Sequence, residues 1–107
     1  MSQGPLRRRL SFRRAHELLD FEHGGHRYTA GLGFFEDGRL AEIFLNVPGR
    51  VGSGIEVMAR DAATVASIAL QYGTPPETIR RALTRNTDGS ASGPLGAVLD
   101  LLAQPMK

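Results

Sequence analysis

The 107-residue sequence contains no cysteine. This absence excludes a disulfide framework, a thiolate zinc site, an iron–sulfur cluster and any thiol nucleophile or thiyl radical carried by this chain. Long apolar runs are also missing. None approaches the ~20 residues of a membrane span, and no apolar stretch follows the N-terminal arginines as a secretory signal requires. We therefore expect a cytoplasmic protein without a membrane span, whose function does not depend on sulfur.

Acidic residues are absent from the first 14 positions, which hold five arginines. The rest of the chain carries eight basic and eleven acidic side chains, a net charge of −3. We interpret residues 1–14 as a basic arm, 15–104 as one mildly acidic domain and 105–107 as a tail. The arm could add a strand to the domain, dock on a protein or follow nucleic-acid phosphates through Arg7, Arg8, Arg9, Arg13 and Arg14.

The first half of the domain has the patterns of β-strands. Strands are predicted over 15–22, 27–35 and 40–47, the last with alternating apolar residues. Gly24 and Gly25 are a favoured two-residue hairpin turn, because both can adopt positive φ. These features predict a three-stranded antiparallel meander with one face made for burial.

Beyond Gly54 the apolar spacing lengthens to three and four residues, which predicts helices. We expect the first helix to end at Gly73 and to expose the charged residues Glu56 and Arg60. Its predicted core-facing stripe consists of Ile55, Met58, Ala62, Val65, Ala69 and Tyr72.

Two further helices are predicted over about 75–84 and 93–103. Thr74 and Glu77 match a capping box for the second helix, and Ser92 is placed to cap the third. Strands followed by helices predict an α+β fold in which about three helices cover one face of the sheet. Side chains expected to face the solvent are Arg80, Arg81 and Arg85, and those expected to be buried on the third helix are Leu95, Val98, Leu99 and Leu102.

One loop has the composition of an anion site. The glycine- and serine-rich run at 89–93 precedes a predicted helix N-terminus, where free backbone N–H groups and the helix dipole favour phosphate. We predict an anion or nucleotide site at Arg85, Ser90, Ser92 and Gly93. The run lacks the lysine and the spacing of a P-loop, so a flexible loop before a capped helix is the alternative.

Other chemical signals are weak. His16, His23 and His26 match no standard metal spacing, and we interpret them as surface residues. No hydrolase or metalloprotease motif is present. We therefore assign no catalytic residue, no metal and no cofactor.

Three segments resemble a known family: 37–44 (DGRLAEIF), 67–75 (SIALQYGTP) and 91–100 (ASGPLGAVLD). Together they are similar to the TSCPD domain of the C-terminal part of adenosylcobalamin-dependent (class II) ribonucleotide reductases, over roughly residues 7–102. The Thr-Ser-Cys-Pro-Asp run for which that domain is named reads Ala-Ser-Gly-Pro-Leu at 91–95. Gly93 thus stands at the position of the cysteine, and no catalytic role carries over.

The resemblance implies a non-catalytic accessory or regulatory module in ribonucleotide reduction, which binds a protein partner, such as a ribonucleotide reductase, or a nucleotide. The alternative hypothesis is a nucleic-acid-binding module that uses the arginine arm, with sheet aromatics such as Tyr28, Phe34 and Phe35 as a stacking platform. We also expect a homo-oligomer, because an exposed second face of the sheet favours pairing between copies.

Overall fold

The computed structural model describes residues 16–104, so the predictions for the arm and the tail lie outside the described residues. The three strands are β1 (His16–His23), β2 (His26–Phe34) and β3 (Leu40–Asn46). They form one antiparallel sheet in the order β1-β2-β3, as predicted. At the first hairpin, His23 pairs with His26 and both turn glycines have positive φ, 58° and 81°.

The sheet is followed by three helices, which confirms the α+β fold: α1 (Gly54–Gln71), α2 (Pro76–Ala82) and α3 (Pro94–Ala103). The helices pack on one face of the sheet, where apolar side chains from β2, β3, α1 and α3 form the core. Leu32, Ile43 and Leu45 are among the most completely buried side chains, together with Val98 of α3. Leu102, which was expected to be buried, is exposed.

The predicted core stripe of α1 is wrong, because the helix packs through a different face. Met58 and Val65 are 75% and 68% exposed, and Tyr72 is also largely exposed. The buried face instead carries small and polar residues: Glu56, Ala59, Ala63, Ala66, Ser67, Leu70 and Gln71. Alanines allow the helix axis to lie close to β3, which a row of large side chains would prevent.

The polar residues on the buried face of α1 bind the backbone of β3. The Oγ of Ser67 accepts a hydrogen bond from the Ile43 N–H at 2.8 Å and lies 3.0 Å from the Ile43 carbonyl oxygen. One turn later, the Gln71 side-chain amide donates to the Ala41 carbonyl at 3.2 Å. These groups belong to an edge strand and would otherwise be buried without partners, which is costly. Their pairing explains why α1 buries polar residues in preference to its larger apolar ones.

The N-terminus of α1 corrects a second prediction. Ser53 is the N-cap and its side chain accepts from the Glu56 N–H at 3.3 Å. The Glu56 carboxylate is 1% exposed and accepts from Arg60 at 3.2 Å and from the Gly52 N–H at 3.4 Å. Glu56 is therefore not part of an exposed charged face. The Ser-x-x-Glu pattern at 53–56 is a capping-box signal from which this N-cap could have been predicted.

The capping box predicted at Thr74 does not form. α1 ends at Gln71, and Gly73 is the C′ residue of the helix, as predicted. Gly73 has a φ of 104° and donates to the Leu70 carbonyl, while the Thr74 N–H donates to the Ala69 carbonyl. This is a Schellman ending, and it occupies the Thr74 N–H that Glu77 would have had to bind. α2 starts two residues later at Pro76, without a side-chain cap, and ends at Ala82, before the predicted end.

Candidate functional site

The loop predicted to bind anions is closed by its own hydrogen bonds. Residues 85–91 form a short hairpin in which Arg85 and Ala91 pair, and the Asn86 N–H donates to the Ser90 carbonyl at 2.8 Å. The Asn86 side-chain amide donates to Ser90 Oγ at 2.9 Å and accepts from Ser92 Oγ at 2.9 Å. Both serine side chains of the predicted site are therefore engaged inside the loop.

An acidic side chain also enters this loop. The carboxylate of Asp88 accepts from the Ser90 N–H at 2.9 Å and from Ser90 Oγ at 2.6 Å. The hydroxyl bond and then the backbone bond from Ser90 lower the pKa of Asp88 below its ordinary value. Ser92 does not cap α3, because the N-cap is Gly93 and no side chain binds there. The structure thus brings Ser90, Ser92 and Gly93 together at the start of α3, with a carboxylate beside them.

Arg85 points from the loop to α3. Its guanidinium makes two bonds to the Asp100 carboxylate, at 2.6 and 2.7 Å, and a third to the Gly89 carbonyl at 3.3 Å. The side chains of Arg85 and Asp100 are 29% and 30% exposed, so the pair is half-buried. An anion at the loop would have to compete with Asp100 for this arginine.

Arg80 extends the pair into a network that joins α2 to α3. It donates to both carboxylate oxygens of Glu77, at 2.9 and 2.7 Å, and to Asp100 at 3.1 Å. Arg81 also donates to Glu77, at 3.0 Å. Bonds from Arg80 and then Arg81 lower the pKa of Glu77 to about 2, and bonds chiefly from Arg85 lower that of Asp100 to about 2. Arg80 and Arg85 therefore connect secondary-structure elements, and the prediction that they point outward is wrong.

A cleft of about 410 Å³ lies beside this network. Its wall is apolar except for Glu77 and Arg80, and the rest is formed by Phe34, Leu40, Pro76, Leu99, Leu102 and Ala103. Since Glu77 and Arg80 already bind each other, the cleft presents apolar surface more than a free charge.

Two of the three histidines, His23 and His26, lie at the hairpin end of the sheet, whereas His16 lies at the other end of β1. His23 and His26 flank the Gly24–Gly25 turn, and the Nε2 of His23 lies 3.1 Å from the Ser92 carbonyl oxygen, which ties the turn to the loop before α3. Within residues 16–104, no three His, Asp or Glu side chains are grouped as metal ligands. No helix in the same range has the length and apolarity needed to cross a bilayer.

The aromatic stacking platform is not present on the sheet. Tyr28 is buried and stacks on Phe21 in the core, with 5.3 Å between ring centroids. Phe35 is also buried and Phe34 packs against the core. The exposed aromatic of the sheet is Phe44, which was not assigned a role.

An exposed apolar surface lies on α1. We call it the α1 outer face, and it consists of Met58, Ala62, Val65, Ala69 and Tyr72. Beside it, a groove of about 600 Å³ runs between α1 and α2, where Ile79, Ala82 and Leu83 form the opposite wall. Sequence reasoning found these α1 residues but assigned them to the core. The alternative face was signalled by the alanines at 59, 63 and 66, which permit a close helix–strand approach.

A family comparison decides what kind of domain this is. The model of the TSCPD domain matches residues 12–107, almost the whole chain. The chain belongs to the TSCPD domain family. This TSCPD domain has no cysteine, and glycine stands at position 93, the N-cap of α3.

Two curated relatives carry the same name. The TSCPD chain is 38% identical over 61 residues to a vitamin B12-dependent ribonucleotide reductase of Agrobacterium fabrum. The aligned region is 57% of this chain and 5% of that protein. It is 36% identical over 52 residues to a vitamin B12-dependent ribonucleotide reductase of Bradyrhizobium diazoefficiens, covering 49% of this chain and 4% of that protein. The chain thus corresponds to a small part of each relative's length. No solved structure matches it.

Proposed function

We propose that this TSCPD domain is a non-catalytic accessory or regulatory module that binds a ribonucleotide reductase through the α1 outer face. The partner is suggested by the curated relatives, which are vitamin B12-dependent ribonucleotide reductases. A chain of 107 residues without cysteine does not carry the thiyl chemistry of such an enzyme by itself.

The observation that carries this proposal is the exposure of large apolar side chains along α1. Met58 and Val65 lie about two turns apart on the same side of the helix, with Tyr72 two turns further. Alanines at 62 and 69 separate them, which leaves a surface of alternating large and small side chains. Contiguous exposed apolar surface of this kind is typical of protein–protein contact sites.

The test is a binding measurement between the intact chain and a vitamin B12-dependent ribonucleotide reductase from the same cells. Val65→Asp places a charge in the centre of the α1 outer face, and we expect it to weaken binding at least about tenfold, because a central desolvated side chain contributes most to an interface. Thr64→Asp is the matched control, since it adds the same charge at an exposed neighbouring position outside that face. Equal losses in both variants, or none in Val65→Asp, would contradict the proposal.

A nucleotide is the second ligand considered, at the loop formed by Arg85, Ser90, Ser92 and Gly93. The support is the position of the loop at the N-terminus of α3, where a nucleotide would have to compete with Asp100 for Arg85. Calorimetry with ribonucleotides tests it, with Ser92→Ala and Arg85→Ala as variants. If the parent chain gives no heat of binding with ribonucleotides, the nucleotide hypothesis is excluded and the protein partner is the remaining one.

Nucleic acid is the alternative partner, favoured by five arginines and no acid in the first 14 residues. Binding through phosphates weakens steeply with salt, and it would vanish in a chain that starts at Ala15. Unchanged affinity in the shortened chain would exclude this role for the arm. Self-association into a homo-oligomer and a cytoplasmic location remain predictions, which sedimentation and fractionation of the cells would test.

A further inference from the structure

The strand β1 has one side without a neighbouring strand. In the part of the chain that the structure describes, the sheet order β1-β2-β3 leaves β1 paired with β2 alone. His23 and His26 close the two-residue turn as a hydrogen-bonded pair, and such pairs alternate with non-bonded pairs along an antiparallel ladder. The backbone N–H and C=O groups that point to the open side of β1 are therefore those of alternate residues: His16, Leu18, Asp20 and Glu22.

These four residues form what we call the β1 edge. Their side chains lie on the face of the sheet opposite the helices, because Phe21 is buried in the core and successive residues of a strand alternate between faces. On that face Leu18 is 82% exposed. A strand edge with open backbone groups and an exposed large apolar side chain favours pairing with another strand.

The β1 edge is accessible to a second strand. Glu17 lies on the helix side of β1 and is nevertheless exposed, while α1 is bonded to β3 at the other edge of the sheet. Over its eight residues β1 has no proline, no lysine and no break in its register with β2. Proline, lysine and bulges are devices by which natural edge strands avoid pairing, so these devices do not protect β1.

Charge and apolarity select one register for the pairing of two copies. In an antiparallel pair of identical strands the two-fold axis is perpendicular to the sheet, and the open backbone groups of the two edges must face one another. An axis at Glu17 or at positions 20–22 would place like carboxylates opposite each other, which is destabilising. An axis at Leu19 would set each Leu18 against an Asp20 carboxylate. An axis at Leu18 instead places leucine opposite leucine.

We propose that two copies of this chain pair through their β1 edges in antiparallel orientation, with the two-fold axis at Leu18. The two Leu18 side chains then cover each other, and each His16 imidazole donates to the Asp20 carboxylate of the second copy. Thr29 orients that carboxylate through a hydroxyl bond of 2.8 Å, and a carboxylate accepts several such bonds. The product is a six-stranded sheet with both sets of helices on one side. This proposal specifies the interface of the predicted homo-oligomer and is independent of the proposed binding to a reductase.

The first experiment is sedimentation equilibrium of the full chain over a range of protein concentrations. We expect the parent chain to dimerise, and Leu18→Asp to lower the association constant at least about tenfold, because it places two carboxylates at the axis. Val51→Asp is the matched control, since Val51 is also 82% exposed but lies in the turn before α1. Its association constant should equal that of the parent. A parent chain that stays monomeric, or equal constants for the two variants, would overturn the proposal.

The register is tested by disulfide formation, which is specific here because the chain has no cysteine of its own. In Leu18→Cys the two Cα atoms at the axis would be about 5.5 Å apart, within the range that a disulfide bridges. In the control Asp20→Cys they would be separated by four residues along the strands, about 13 Å. We expect oxidation to yield a covalent dimer of Leu18→Cys and none of Asp20→Cys.

The two experiments together distinguish this interface from other forms of self-association. A parent chain that dimerises while Leu18→Cys does not cross-link, or while Asp20→Cys cross-links equally well, would place the interface elsewhere and overturn the proposal. Leu18 lies outside the α1 outer face, so Leu18→Asp should bind a reductase as the parent chain does. Failure of the pairing is therefore distinguishable from failure of the proposed function.

Discussion

Two helix junctions of this domain are built on different physical principles. α1 is joined to β3 by alanine packing and by the neutral side chains of Ser67 and Gln71, all buried. α2 is joined to α3 by arginine–carboxylate pairs through Asp100 at a half-exposed surface. The first junction has no group that titrates between pH 2 and 8 among these contacts, whereas the second depends on ionised carboxylates. The two junctions should therefore respond differently to pH, salt and volume changes.

The largest decrease in the free energy of unfolding is expected from a larger side chain between α1 and β3. Ala63 is 1% exposed and faces β3, so Ala63→Leu forces the helix away from the strand and should lower the free energy of unfolding by about 3 kcal/mol. Val65→Leu is the control on the exposed side of the same helix, with an expected change within about 0.5 kcal/mol. Urea denaturation measures both. Similar losses in the two variants would contradict the assignment of the buried face.

The hydrogen bonds of the first junction should contribute the next largest effect. Ser67→Ala leaves the Ile43 N–H buried without a partner, and we expect a loss of about 2 kcal/mol in the free energy of unfolding. Thr64→Ala is the matched control, because Thr64 is exposed and its hydroxyl donates only to the Arg60 carbonyl of the same helix. Its loss should stay below about 0.5 kcal/mol. The difference would disappear if Ser67 contributed helix propensity alone.

The second junction should be distinguished from the first by pH. The folded pKa of Asp100 is lowered to about 2, below its ordinary value near ~4, so its ionised form stabilises the fold above that ordinary value. This contribution is lost as the pH falls from about 5 towards 2. We expect thermal denaturation of Asp100→Asn to depend less steeply on pH in this range than that of the parent chain. The loss caused by Ser67→Ala should be the same throughout, and parallel curves for Asp100→Asn and the parent would contradict the comparison.

The smallest effect is expected at the exposed end of the second junction. Glu77→Gln removes the pairs with Arg80 and Arg81, but Arg80 keeps its bond to Asp100 and Arg81 is mostly solvated. We expect a small decrease in melting temperature at low ionic strength that vanishes near ~1 M salt, where exposed charges are screened. A decrease that persists at high salt would show that Glu77 acts through packing.

Local chemistry was sufficient to predict the sheet, because the Gly24–Gly25 turn and the alternation along β3 leave one register that buries Ile43 and Leu45. The face of α1 could not be predicted from its own pattern. Hydrophobicity favours the stripe with Val65, and the choice of the alanine face depends on Ile43 backbone groups 24 residues away. The predicted start of α2 was wrong for a similar reason, because the Thr74 N–H already donates to the Ala69 carbonyl at the end of α1.

For the candidate site, too, local features could be predicted from the sequence and long-range contacts could not. Composition identified the loop at 89–93 and its position before the N-terminus of α3, where the structure also places it. The partner of Arg85 could not be predicted, because Asp100 lies 15 residues further along and meets it only after α3 has packed. The residues of the α1 outer face were likewise identified as an apolar stripe, but the prediction that the stripe faces the core was wrong.

The bonds from Ser67 and Gln71 to β3 also decide how this sheet can grow. A sheet that extends into a fibre needs two open edges, one on each side, so that every added strand leaves a new template. In the part of the chain that the structure describes, α1 occupies the backbone of β3 at Ala41 and Ile43, which leaves β1 as the edge that can accept a strand. Among residues 16–104, we therefore expect strand addition at the β1 edge, and the side chains that hold α1 in place should oppose the growth of a fibre through β3.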